Sequence, residues 1–513
     1  MIAHVSTFTL TGLEPRRVTV EVDLRAGLPT FTIVGLGDQA VREARERVRA
    51  AIHNSGFTFP DKRVTVNLAP ASLRKSGPGF DLAIACGVLA ASGQIPLERL
   101  ERLAVFGELA LGGAIRPGRG VLAVAEGVRD AGLEGLVVAA ERVGEAALVG
   151  AIAVHGAATL AQAVAVLQGL PVDDEPGRPE GDLERSGPAA ASHAAAVDLA
   201  DVRGHASVLG ALTIAAAGGH NLLLTGPPGT GKTMLARRLP GILPPLTRAE
   251  ALEVTRIQSV VGLRGASSLV AERPFRAPHH HISASGLVGG GSVPVPGEAT
   301  LAHHGVLFLD ELSEFSRDAL EALRQPLEDG RVAIVRGQRT AIYPTQIMLV
   351  AATNPCPCGY LGSDRCRCTE PDLARHRRRL SGPLLDRIDL QVHVARPSAE
   401  ALRGPAHCTS ASERERVIAA RERQLARLAG SQATCNAHMD AAQVRALVRL
   451  EGAAERELWR DYDKGVLSAR GHQRVLRVAQ TVADLAGSAT VGRVHVLHAL
   501  GLRRDTLADA ESA

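Results

Sequence analysis

Gly226-Pro227-Pro228-Gly229-Thr230-Gly231-Lys232-Thr233 lies between the apolar run 221–225 and a stretch whose Met234, Leu235 and Leu239 fall at helical spacing. Strand, glycine-rich turn and helix follow in that order, and every fixed position of G-x-x-x-x-G-K-[ST] is filled. This is the context a phosphate-binding loop requires, and it predicts an α/β core. The glycines let backbone N–H groups turn inward onto phosphate oxygens. Lys232 can neutralise the β- and γ-oxygens, Thr233 can ligate Mg²⁺, and the helix N-terminus adds positive potential. ATP with Mg²⁺ is the expected ligand, and residues 226–233 are its expected binding residues.

Working outward, Gly305-Val-Leu-Phe-Leu-Asp310-Glu311 reads as a buried parallel strand that ends in an acidic pair. Asp310 can hold the Mg²⁺ through water, and Glu311 can polarise the attacking water as general base. Taken alone, the pair reads equally as solvated carboxylates; the upstream loop favours catalysis. The apolar run 347–352 leads into Thr353-Asn354, where Asn354 can touch the γ-phosphate or simply occupy a turn before Pro355. In Ser381-Gly-Pro-Leu-Leu-Asp386-Arg387-Ile-Asp389, Arg387 is suited to reach a neighbouring subunit's γ-phosphate as an arginine finger. The alternative is an intrachain ion pair with Asp386 or Asp389. Arg470, opening a helix in 467–474, can fold back onto the nucleotide from a lid, or face solvent beside Arg474 and Arg477.

The chain has 513 residues, enough for roughly three domains. Alternating and helical apolar patterns place strands at 18–23, 31–34 and 64–68 and helices at 38–55 and 81–91. The segment 172–196 is rich in Asp, Gly, Pro, Ser and Ala and reads as a flexible linker. A second break at 397–412 precedes helical patterns at 413–428, 440–462, 468–486 and 491–500. The expected organisation is an α/β domain at 1–171, the linker, a P-loop core at 197–396 and a helical lid at 397–513.

Lys plus Arg number 58 against 54 Asp plus Glu, a net charge of +4 that does not by itself demand nucleic acid. Aromatics are 3% of the chain, too few for single-strand binding built on base stacking, so contacts to DNA would run through phosphates. No secretion signal is visible, and the long uncharged stretch 206–231 is interrupted by breakers, which argues for a soluble, cytoplasmic protein without a membrane partner. Of seven cysteines, Cys356, Cys358, Cys366 and Cys368 fall within 13 residues. Four thiolates suit tetrahedral Zn²⁺, although C-x-C is tighter than the usual spacing; reduced thiols in a surface loop are the alternative. The cluster starts just after Asn354, where a folded knuckle can brace the sensor strand. Cys86 reads as core, and Cys408 and Cys435 carry no signal.

These motifs, in this order, resemble the magnesium-chelatase-like AAA+ family often called YifB or ComM, over nearly the whole chain. The resemblance is carried by Ala215-Ala-Ala-Gly-Gly-His-Asn-Leu-Leu-Leu, Arg273-Pro-Phe-Arg-Ala-Pro-His279-His280, the run from Gly297 to Leu312, Asn354-Pro-Cys-Pro-Cys-Gly and the Arg387 segment. It implies an ATP-dependent homo-hexamer, and in its best-known member a motor driving branch migration of DNA during natural transformation. Two features depart from it: His205 stands where the family usually has Gln, and 374–379 is unusually basic. That run reads as a solvated face or as a DNA contact.

The N-terminal region resembles the Lon protease domain and other ribosomal-S5-like α/β folds. A Lon-type site needs a Ser nucleophile with a Lys base. The matching turn, Ser76-Gly77-Pro78-Gly79, has Gly at the nucleophile position, and the helix carrying Arg119-Gly120-Val-Leu-Ala-Val lacks the Lys. The domain is expected to be a non-catalytic scaffold.

For function, the first expectation is a helicase or translocase on branched, single- or double-stranded DNA, serving recombination or natural transformation. His279-His280-His281 and the glycine-rich 286–296, inserted between the two ATP motifs, are candidate DNA-facing loops. A protein remodeller or a chelatase-type motor subunit is the alternative. No aromatic lies between Ala277 and Gly305 to grip peptide, which favours DNA.

Overall fold

The computed structural model describes residues 2–75, 77–171, 197–263, 268–291, 294–336, 339–379, 382–465 and 467–503. The expected linker 172–196, Ser76 and Ser381 lie outside the described residues. The chain divides into two compact units. One comprises Met1–Gly187 with Arg248–Val270 and Val335–Ile342; the other comprises Pro188–Thr247, Ala271–Ile334 and Tyr343–Ala513. The range read as the P-loop core thus contributes two segments to the N-terminal unit.

In the N-terminal unit a seven-stranded mixed sheet runs in the order Thr30–Val34, Arg63–Ala69, Glu14–Arg25, Ile2–Thr11, Leu103–Val105, Gly135–Ala139, Ala153–Ala157. The hairpin Ile2–Thr11/Glu14–Arg25 is antiparallel, as is the pairing of Glu14–Arg25 with Arg63–Ala69. Val18, Val20 and Val22 alternate inward at period two. Over this sheet lies Asp81–Ala91, a helix buried at every residue, as expected of one apolar all round. A Cβ on its Gly87 would sit 2.7 Å from Val22, so the glycine sets how closely helix and sheet approach. Helix Gln39–Asn54 is amphipathic and is started by Asp38, whose Oδ1 accepts from the Val41 N–H at 3.0 Å. Helix Arg248–Val261 joins this unit through Arg256, which reaches Glu126 at 3.3 Å, and Ser259, which bonds the buried Glu145.

The other unit is built on five parallel strands in the order Phe275–Arg276, Val306–Leu309, Met348–Thr353, Leu222–Thr225, Leu390–His393. Near-continuous apolar runs form the three central strands, Val306–Leu309, Met348–Thr353 and Leu222–Thr225, because both their faces are covered. Leu222, Leu224, Phe308 and Val350 pack into one core with helices Ala206–Gly218 and Lys232–Ile242 and with the C-terminal helices. Leu223, Leu307, Leu309, Leu349 and Ala351 pack into a second core on the opposite face.

The C-terminal helices are Ser410–Arg427, Ala441–Leu447, Gly452–Asp463, Ala469–Leu485 and Arg493–Gly501. Three sequence expectations are corrected. The single helix at 440–462 is two, because Arg449 and Glu451 leave helical geometry to bond the Val491 backbone at 2.8 and 3.1 Å. The break at 397–412 contains a short helix, Ala399–Arg403, and the next helix starts at Ser410, where Thr409 caps it with a capping box. A two-stranded hairpin, Arg331–Arg336 with Arg339–Pro344, was not anticipated. Among the described residues no helix is long and apolar enough to cross a membrane.

Candidate functional site

Parallel register brings the separated motifs to one edge of the sheet. Thr225 pairs with Thr353, and Leu309 with Ala351, so residues 226–233, Asp310-Glu311 and Asn354 all leave from the carboxyl ends of adjacent strands. This is where open α/β sheets bind ligands. Gly229 (φ +76°) and Gly231 (φ +88°) hold the left-handed backbone that the loop needs at the entrance to helix Lys232–Ile242.

Lys232 is buried over its own loop. Its ammonium donates to the carbonyls of Gly226 (2.6 Å) and Pro227 (2.9 Å) and to Asn354 Oδ1 (3.1 Å). Burial pushes its pKa down, against the opposing pull of Asp310 and Glu311. The Thr233 hydroxyl donates to Asp310 Oδ2 at 2.6 Å. A hydroxyl and a carboxylate at this distance, beside the loop that cradles phosphates, are the hard oxygen donors Mg²⁺ takes alongside phosphate oxygens. Glu311 is more than half exposed and holds φ +53°, a conformation a non-glycine residue adopts at a cost of about 1–3 kcal/mol. Such strain aims the carboxylate outward from the strand end. His280 Nδ1 lies 3.5 Å from it. His205 is buried, with Nε2 3.9 Å from where a Gly231 side chain would begin, which brings it to the loop; burial lowers its pKa.

Two further sequence candidates are placed differently from one another. Arg387 is buried and pairs within the chain with Glu328, whose side chain is half-exposed. Asp389 is instead engaged by Arg474 (3.4 Å), by His220 (3.5 Å) and by the Asn221 N–H (3.2 Å). Burial pushes the Asp389 carboxyl up, but the His220 hydrogen bond and the charges of His220, Arg474 and Arg477 outweigh it and hold its pKa low. Arg470 is exposed in the first turn of helix Ala469–Leu485.

The basic run forms helix Glu370–Arg379. Arg375, Arg378 and Arg379 point outward, while His376 is buried and its Nε2–H donates to the Asn354 carbonyl at 3.0 Å. His376 was missed in the sequence because its contact is tertiary. So was the approach of His438 to the buried Cys435. Burial pushes the Cys435 thiol up, but the charges of His438 and Arg421 outweigh it and hold it at about 5.

The sulfurs of Cys356, Cys358, Cys366 and Cys368 all lie within 4.8 Å of one another, with Cys356–Cys358 at 3.4 Å, Cys358–Cys366 at 3.7 Å and Cys356–Cys366 at 3.9 Å. A tetrahedral site with Zn–S bonds of about 2.3 Å has sulfur–sulfur edges of about 3.8 Å. The loop therefore fits a four-thiolate metal site. The hairpin Gly289–Gly290/Val295–Pro296 occupies the glycine-rich insert; residues 292–293 at its tip lie outside the described residues.

A phosphate-binding loop, an acidic strand end and an asparagine held on the loop's lysine, joined on one parallel sheet with a helical domain packed on the same core, define a P-loop ATPase of the AAA+ class. Three family profiles agree: "Magnesium chelatase, subunit ChlI" matches residues 198–402, "Subunit ChlI of Mg-chelatase" matches 20–142, and "Magnesium chelatase, subunit ChlI C-terminal" matches 407–503. The chain is 42% identical over 507 residues to the competence protein ComM of Haemophilus influenzae, covering 98% of this chain and 97% of that protein. It is 42% identical over 511 residues to the uncharacterized protein YifB of Escherichia coli, with the same coverage, and 44% identical over 505 residues to an uncharacterized Mycobacterium tuberculosis protein, covering 98% of this chain and 99% of that one. The chain belongs to the magnesium-chelatase-like AAA+ ATPases of the YifB/ComM family.

Proposed function

We propose that the protein is a cytoplasmic, ATP-dependent homo-hexameric motor on DNA, a helicase or translocase that promotes branch migration in recombination or natural transformation. The observation that carries the motor is the joined pair of contacts Lys232–Asn354 and Thr233–Asp310, which unites three motifs at the phosphate-binding loop. Lys232 and the loop N–H groups bind the phosphates. Thr233 and Asp310 would hold Mg²⁺, which would supply neutralisation of the phosphate charge. Glu311 takes the proton of the attacking water, and Asn354 orients that water against the γ-phosphate. Arg387 leaves the half-exposed Glu328 to reach the γ-phosphate of an adjacent subunit, and Arg470 closes from the lid.

Support for DNA comes from the name of the Haemophilus relative, a competence protein, and from a glycine-rich hairpin without aromatics between the two ATP motifs. The N-terminal region, 1–171, serves as a Lon- or S5-like scaffold without catalysis, joined through 172–196 to the core at 197–396 and the lid at 397–513. Lys75 is buried on the Pro70 carbonyl, where it supplies no accessible base. The four cysteines hold one structural Zn²⁺.

The deciding experiment measures ATPase activity with no DNA, linear duplex, single strand and a four-way junction. Stimulation by DNA, greatest with the junction, is expected. An ATPase indifferent to every DNA and stimulated instead by unfolded protein would replace this reading with the remodeller; indifference to both would favour the chelatase-type motor subunit.

A further inference from the structure

The four-cysteine loop touches the ATP pocket at its beginning, its middle and its end. At the beginning, Asn354 stands two residues before Cys356 and accepts from the Lys232 ammonium at 3.1 Å. In the middle, Gly359 packs on Pro228 of the phosphate-binding loop. It holds φ +85°, and a Cβ there would lie 2.5 Å from Pro228 Cδ, so neither the backbone nor the space admits a side chain. At the end, helix Glu370–Arg379 starts two residues after Cys368 and returns His376 to the Asn354 carbonyl at 3.0 Å. Among the described residues three backbone–backbone bonds lie within the loop, Gly359 N–H to the Cys356 carbonyl, Ser363 N–H to that of Tyr360, and Cys366 N–H to that of Ser363. Further backbone N–H groups turn onto the sulfurs, those of Tyr360 and Arg367 onto Cys358 and that of Cys358 onto Cys368. With two glycines at positive φ, Gly359 and Gly362, a loop bonded in this way depends on its sulfurs for a single shape.

We infer that zinc in this loop is a brace for the ATP pocket, so that its loss to a chelator or a peroxide turns the ATPase down. The inference rests on the zinc reading above and adds to it a regulatory consequence. With peroxide, two zinc-bound thiolates join as one disulfide, the peroxide and two protons leave as two waters, and Zn²⁺ is released. Once released, the loop no longer holds Gly359 against Pro228 or Asn354 at the height of Lys232. The pocket then loses ATP affinity without loss of the fold, because the sheet and its two cores lie elsewhere.

The test uses the full chain. Metal analysis of protein purified without chelator comes first, with one zinc per chain expected. ATP binding and turnover are then measured before stripping with a chelator, after it, and after zinc is returned, with circular dichroism following the fold. ATP affinity is expected to fall about tenfold on stripping, a change of about 1.4 kcal/mol, and to recover with zinc. Gly359→Ala keeps all four thiols and is expected to retain zinc while weakening ATP by a similar factor. Protein that holds no zinc at the outset overturns the zinc reading and the brace together. Zinc at one per chain, with ATP binding and turnover unchanged in Gly359→Ala, overturns the brace alone, and this arm stands even if stripped protein unfolds.

Discussion

At the scale of single residues, the site separates binding from chemistry. Lys232 is buried over its own loop, while Glu311 stands exposed at the strand end and, among the described residues, makes no hydrogen bond to the loop. Glu311→Gln should therefore bind ATP as tightly as the natural protein and turn over about 10²–10⁴-fold more slowly, the usual worth of a positioned general base. Steady-state hydrolysis beside equilibrium nucleotide binding checks this; turnover near that of the natural protein would remove Glu311 from the mechanism. Lys232→Ala should lose affinity and turnover together. The placement of these two residues at one edge of the sheet was legible in the sequence because motif spacing and the strands that carry the motifs encode it. His376 was not, because in the sequence it is one cationic residue in a basic run, and only the turn of its helix aims it at Asn354.

At the scale of elements, the helical lid is held by a buried charge network. Asp484, on helix Ala469–Leu485, is 1% exposed and receives Arg427 from helix Ser410–Arg427 at 2.6 and 2.9 Å, Asn436 at 2.8 Å and Gln480 at 3.1 Å. Arg427→Met would remove the guanidinium that pairs with that carboxylate and leave it the amide donors of Asn436 and Gln480. Removing one partner of a buried pair costs about 3–5 kcal/mol. Urea unfolding of the lid should show a loss in this range; a change below about 1 kcal/mol would mean that water reaches Asp484 and screens it. The helices in this network were legible from their periodicity. The division of 440–462 into two was not, since Arg449 and Glu451 gain backbone partners only when Val491 is brought beside them.

At the scale of the whole molecule, Arg387 and pH give two tests. If Arg387 acts across a subunit boundary, Arg387→Ala should bind ATP and barely hydrolyse it, since a finger in trans is worth about 10³–10⁵ in turnover. Mixing it with Lys232→Ala places an intact finger against an intact phosphate-binding loop, and some activity should return. Mixed rings seen by sedimentation but inactive would count against action in trans. The pH test follows from histidines whose charged form is disfavoured by partial burial. Desolvation holds His155, His205, His376, His393, His472 and His498 below the ordinary 6.5. As pH falls below that value the unfolded chain takes up more protons than the folded one, so the stability these groups contribute is present above about 6.5 and is lost toward lower pH. His438, raised chiefly by Cys435, opposes the trend. Because six oppose one among the described residues, Tm should fall as pH is lowered from about 7.5 to about 5.5; a Tm that does not fall over that interval would show that the histidines titrate alike in the folded and unfolded chain.

The sequence alone determined the ATP-binding loop, the acidic strand end, the Asn354 strand and the α/β character of both units, because local spacing and apolar periodicity carry that information directly. It also singled out four cysteines, though it left a metal site and free thiols equally open. Which loops meet was decided only in three dimensions. Parallel register sets Asn354 beside Lys232 across 122 positions of chain, and the packing of helix Arg324–Asp329 sets Glu328 beside Arg387 across 59. No local pattern records such pairs, because each depends on how strands order themselves in the sheet and how helices cover it. The assignment of 248–270 and 335–342 to the N-terminal unit has the same origin. The helix Arg248–Val261 finds partners for Arg256 and Ser259 in Glu126 and Glu145, more than a hundred positions earlier, and it is this burial of charge and hydroxyl against carboxylate that tertiary structure alone could supply.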